Sequence, residues 1–244
     1  SFQGSVGGRI HFDAYMFDND IVDSTSSSEL RGRTRTMQGK LYNWEYKFEN
    51  DFAGQSGTTG SGFRDMHIAT RVGPGKLTLG QFKPYRSMEE LTSSNDILMM
   101  ERPFASATGI YSGRQFQQGV GYMMSGSQYT LGLSGFNTKA ADTARNEGLG
   151  AAARATFAPI MQDDLVVHLG LSYSLENGNA DTPAFNANAN YVGRRGPSQN
   201  IATTADGESV NTVGLQPAVA AGAFFAQVSS DLEIFAQVVG DDQE

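Results

Sequence analysis

The heptapeptide LRGRTRT, Leu30 to Thr36, places arginines at 31, 33 and 35 with glycine or threonine between them. Residues two apart share one face of a strand, so three guanidinium groups would stand in a row. Like charges in a row repel, which water moderates. The row becomes useful where an anion passes, because guanidinium groups keep their charge and donate planar, paired hydrogen bonds to phosphate oxygens. Rings of arginine or lysine are a physical route to anion preference in pores. Spacing alone leaves a second reading open, in which Arg31, Arg33 and Arg35 pair with Glu45, Glu49 and Asp51 on an adjoining strand.

Other chemistries find little support. The sequence holds no GxSxG, HExxH or GxxxxGK, so nucleophile, zinc and nucleotide hypotheses lack a motif. Cysteine is absent, and His11, His67 and His168 fall on different expected strands in no ligand spacing. Asp65 and His67, with Arg71 beyond them, read as polar neighbours on one strand face. The chain is therefore read as a non-enzyme with no catalytic residue, metal or cofactor. Its net charge of -8 argues against nucleic acid as a partner.

The elements that must position these residues are strands. In LVVHLGLSYSL, Leu165, Val167, Leu169, Leu171 and Tyr173 share one parity, while His168, Gly170, Ser172 and Ser174 share the other. The stretches from Leu149 to Phe157 and from Arg9 to Met16 alternate likewise, one face apolar and one wet. Strands are expected at 7–18, 28–41, 43–53, 63–72, 76–83, 115–124, 128–137, 148–158, 164–175, 210–219 and 223–238. Short joints such as Gly73-Pro74-Gly75 alternate with long polar connections at about 84–114 and 176–209, the habit of outer-membrane barrels. In such a barrel the apolar face meets lipid and the polar face, arginines included, meets water inside. Tyr42, Trp44, Tyr46 and Phe48 fit an interfacial girdle. The acidic stretch from Glu176 to Asp181 reads as solvated surface.

With these residues in view, the chain resembles the phosphate-selective porins of the O and P type. ELRGRTRTMQGKLYNWEYKFENDFAG resembles that family's arginine-rich second strand, tight turn and following aromatic strand. RVGPGKLTLGQFKPYRSMEELTSSNDILMMERPF resembles its next hairpin and pore-narrowing third loop, with GQFKP, LTSSND and MER. GVGYMMSG and GLGAAARATFAPI are similar to later strands.

The resemblance implies an all-β fold: a trimeric, water-filled, sixteen-stranded antiparallel transmembrane β-barrel in the bacterial outer membrane, the third loop folded inward. It implies small inorganic anions such as phosphate as cargo, and lipid and lipopolysaccharide as surroundings. Its carried anion-binding residues are Ser93, Ser94 and Arg102, with Arg31 on the strand; Arg33 and Arg35 join them by parity alone. Lys83 and Arg86 complete the expected pore-lining set. Where a phosphate-specific relative carries lysine, this chain has Glu90, preceded by Glu89. These carboxylates would repel multivalent anions unless they turn away or pair with Lys83 or Arg86. A weakly selective porin and a sealed, surface-binding barrel are the alternatives.

The whole chain is expected to be a single barrel domain, with the constriction loop at about 84–114 and an external loop at about 176–209. Sixteen strands of about 9–11 residues outrun 244 residues, so an incomplete copy is expected.

Overall fold

The computed structural model describes residues 2–16, 18, 26–52, 62–97, 102, 110–111, 113–138, 148–177, 185–190, 198–204, 208–222, 224–227 and 230–234. For 27, 29–32, 186, 188–190, 198, 202, 224–225, 227 and 230–234 it describes backbone alone. Met99 and Met100, whose apolar side chains in the stretch DILMMERPF predict packing of the loop against the inner wall, lie outside these residues.

Alternating sequence becomes strand almost throughout. The elements are β1 (Phe2–Tyr15), β2 (Ser27–Leu41), β3 (Trp44–Asp51), β4 (Phe63–Val72), β5 (Gly75–Phe82), α1 (Met88–Leu91), β6 (Gln117–Ser125), β7 (Tyr129–Thr138), β8 (Gly148–Met161) and β9 (Leu165–Asn177). After them come β10 (Asn186–Asn190), β11 (Ser198–Thr203), β12 (Ser209–Leu215), β13 (Ala218–Ala221), β14 (Phe224–Gln227) and β15 (Ser230–Ile234). Strands β1 to β9 pair in chain order, each antiparallel to the next; β12 and β13 both pair with β9, and β15 and β14 pair with them in turn. Among the described residues β1 is an unjoined edge. The all-β, antiparallel expectation holds.

The two faces differ as the alternation requires. Val6, Ile10 and Phe12 are 76%, 73% and 65% exposed, and Leu149, Leu169, Leu171 and Tyr173 are also exposed on the same outer face. Their neighbours Ser172, Ser174 and Glu176 are buried. A sheet that buries serine and a carboxylate while exposing leucine is arranged for an apolar surrounding. Short turns lie on one rim: Tyr42-Asn43, where Tyr42 takes φ 54°, and Gly73-Pro74, where Gly73 takes φ 58°. The long connections leave the opposite rim.

Three expectations change. The strand expected at 210–219 breaks at Gln216 and Pro217, since proline has no N–H for the ladder; Gln216 N–H still reaches the Gly170 carbonyl at 2.9 Å. The segment expected at 223–238 is divided into β14 and β15. The long connection at 176–209 carries a hairpin of its own, β10 with β11, and Thr204 N–H donates to the Phe185 carbonyl at its base at 3.0 Å.

Candidate functional site

Between β5 and β6 the chain turns onto the inner face. Lys83 to Ser87 lead into α1, a single turn whose end is braced from further along: the Arg102 guanidinium donates to the carbonyl of Glu89 and to that of Thr92, the latter at 2.7 Å. Thr92 Oγ1 donates to the Met88 carbonyl at 2.8 Å. Ser93 Oγ accepts from Asn95 N–H at 3.2 Å, and Asp96 N–H donates to the Ser93 carbonyl at 3.0 Å. This compact turn holds Ser93 and Ser94 facing β1 to β4.

Across from the serines lies a cavity of about 430 Å³. Its far wall comes from Gly7, Gly8 and Arg9 of β1, Thr34, Thr36 and Gln38 of β2, Lys47 and Glu49 of β3, and Arg64 and Asp65 of β4. Lys83, Leu91, Ser93, Ser94, Asn95 and Phe116 close it. Arg9 Nη1 donates to Asn95 Oδ1 at 2.8 Å, bridging wall and loop. Lys47 pairs with Asp65, and Arg64 Nε stands 3.0 Å from Glu49 Oε1. Lys83 Nζ donates to the Glu90 carbonyl at 2.6 Å and lies 5.6 Å from the centre of the Phe116 ring. Burial pushes the Lys83 ammonium down to about 8, with the Arg102 guanidinium acting the same way and the Glu90 carboxylate opposing it. The lining thus holds four cationic side chains against two carboxylates, Glu49 and Asp65, together with Ser93, Ser94, Thr34 and Thr36.

The expected residues divide. Lys83, Ser93 and Ser94 meet at this cavity. Arg33 and Arg35 do not: they alternate with Thr34 and Thr36, stand opposite Ile10 and Gly8 in register and are exposed on the outer face. The inward row of three is thereby corrected. Arg33 and Arg35 share their parity on β2 with Met37 and Leu41, both exposed apolar side chains, so the strand turns them to the apolar face; before them the pairing with β1 passes from Gly32 to Leu30. Arg31 is the extra residue of that bulge, and bulges re-aim what they carry; its side chain lies outside the described ones. Arg102 braces α1 and is not among the cavity-lining residues. Arg86 is a second correction, since it is 1% exposed and ion-paired to Glu176 at 2.6 Å behind the loop. Glu176 is a third: the stretch read as solvated surface begins with a residue that is 0% exposed. Glu90 is also buried, at 1%, so it meets the cavity through its carbonyl's bond to Lys83. Glu89 is half-buried, its carbonyl accepting from Arg102.

Arg9, Lys47 and Arg64 were missed as cavity residues. Arg9 was visible on the wet face of β1, but nothing in that strand says that a loop 86 positions away comes to meet it.

The comparisons with known proteins agree with this architecture. The family described as phosphate-selective porin O and P matches residues 5–234. A search of curated proteins returned no match. The family is one of channels rather than enzymes, placed in the bacterial outer membrane, and no helix among the described residues is long and apolar enough to cross a membrane. Matched over most of its length and built around one large antiparallel sheet with its apolar face outward, the chain belongs to the phosphate-selective porin O and P family.

Proposed function

We propose that the chain forms a water-filled channel for passive diffusion of small anions, phosphate among them, past the cavity between Ser93, Ser94 and the β1 to β4 wall. The observation that carries this reading is the cation excess of that lining, which Arg9 and Lys83 share with Ser93 and Ser94. Hydroxyl donors and cationic groups together can replace the hydration of an oxyanion. Residues 84–114 act as the constriction loop of a single barrel domain. The working assembly is a homotrimer of sixteen-stranded barrels among lipid and lipopolysaccharide, as the family resemblance implies.

A second reading, weak selectivity, is favoured by the pairing of Lys47 and Arg64 with Asp65 and Glu49, which cancels part of the field. Planar-bilayer reversal potential in a potassium chloride gradient separates the two, followed by block of the chloride current by added phosphate. Anion preference with saturable block is expected. Cation preference would overturn the proposal, and anion preference without block would establish the weakly selective reading.

A further inference from the structure

The loop is also held from behind, by a residue that belongs neither to it nor to the cavity. We infer that Glu176, near the end of β9, is the positioning residue of the constriction: one carboxylate that clasps both feet of the loop. The inference rests on the reading of this loop as the pore's narrowing element.

Arg86 stands on the limb entering the loop and Arg114 on the limb leaving it. Arg86 Nη1 lies 2.6 Å from Glu176 Oε1, and Arg114 Nε lies 3.1 Å from Glu176 Oε2. Arg86 Nη2 donates to the Arg114 carbonyl at 2.6 Å, tying limb to limb, and Arg114 Nη2 donates to the Ile110 carbonyl at 2.5 Å. The Arg86 guanidinium sits 3.9 Å from the centre of the Tyr111 ring, and that of Arg114 sits 4.6 Å from the Phe185 ring. Phe185 precedes β10, so the hairpin in the long connection closes over the clasp, and Ala187 packs with Ile110 and Tyr111.

Arg86, Arg114 and Glu176 are 1%, 4% and 0% exposed. Pulling either limb away would strand a charge in a dry interior, a far larger penalty than parting a solvated pair. The feet are therefore held at one height on the β9 side, and that height sets how far Ser93 and Ser94 reach across toward Arg9 and Thr34. A neutral bond, Tyr85 N–H to Ser134 Oγ at 3.1 Å, lies on the same wall.

The test is Glu176→Gln in the full chain, which keeps the shape and removes the charge. Trypsin cleavage after Arg86 and Arg114 is expected to quicken by at least about tenfold, because cleavage follows the population of the opened state. Phosphate block should weaken, and single-channel conductance should rise and flicker. The chain has no cysteine, and a Cβ on Gly132 would stand 3.1 Å from Tyr85 Cβ, short of the ~3.5–4.5 Å of a disulfide by an amount that a small outward shift of the Tyr85 limb supplies. Tyr85→Cys with Gly132→Cys in the Glu176→Gln background should therefore restore protease resistance and block when oxidised, and lose both on reduction. Should Glu176→Gln fail to fold, Glu176→Asp, which keeps the charge but shortens its reach, is expected to show the same changes to a lesser degree. A folded variant with wild-type protease resistance and wild-type block overturns the inference. If wild type carries no anion current, the channel reading fails alone, and the protease result still decides the clasp.

Discussion

Two carboxylates in this molecule each stand between two cations, and their surroundings make them different devices. Glu49 on β3 lies 3.0 Å from Arg64 and 3.7 Å from Lys47, its side chain 15% exposed at the edge of the cavity. Glu176 on β9 lies 2.6 Å from Arg86 and 3.1 Å from Arg114, its side chain 1% exposed behind the loop. Water can reach the first set, so in the proposed channel its cations are open to competition by an anion. The second set is sealed, so its charges hold chain segments in place. Period-two alternation puts polar residues on one face along the sheet; what the loop covers decides which of them water can reach.

The largest effect expected from this contrast is on stability. Glu176→Ala would leave two arginines buried without their counter-charge and should cost about 3–5 kcal/mol, whereas Glu49→Gln should cost about 1 kcal/mol or less, both read by denaturant titration of the folded protein in detergent. Equal losses would erase the distinction between the walls.

The next effect is a pH dependence. The Lys83 ammonium loses its proton near pH 8, so a positive charge in the lining fades as pH rises through that value. Anion-to-cation permeability in potassium chloride should fall by roughly threefold between pH 7 and 9.5, a change of under ~1 kcal/mol at this partly screened site. Lys83→Met should flatten the curve at its high-pH level. The linked effect on folding has the opposite sense. Below pH 8 the folded state carries a desolvated cation, and between about 8 and the usual 10.5 the unfolded chain binds more protons, so stability rises with pH across that window.

A smaller effect tests the other side of the cavity. Ser93→Ala with Ser94→Ala removes donors to an oxyanion and should weaken phosphate block about fivefold to tenfold, near the worth of one ordinary hydrogen bond, with chloride conductance little altered. Smallest of all is Arg33→Gln with Arg35→Gln. Both face outward, so reversal potential should not move; a clear loss of anion preference would restore the arginine row to the lumen.

Much of this was legible in the residues themselves. Alternation in Leu165 to Leu175 and Arg9 to Met16 suffices for strand, for outer face and for an all-β sheet, because parity is local. The arginine row is misplaced when charge is weighed ahead of parity: Arg33 and Arg35 share a face of β2 with Met37 and Leu41, both exposed, and residues two apart on a strand point the same way. Glu176 was illegible for a non-local reason. Beside an acidic, polar stretch it looks solvated, and only the arrival of Arg86 and Arg114, with Phe185 folding over them, makes it dry. Ser93 and Ser94 were found through the loop's resemblance to its family, while Arg9, held by Asn95, needed the fold.

The most direct measurement is anomalous diffraction from crystals soaked in arsenate, which carries phosphate's shape and charge with a locatable atom. The account predicts an arsenic peak between Ser93, Ser94, Lys83 and Arg9 that disappears in Arg9→Gln with Lys83→Gln. A peak beside Arg33 and Arg35, with that cavity vacant, would contradict it.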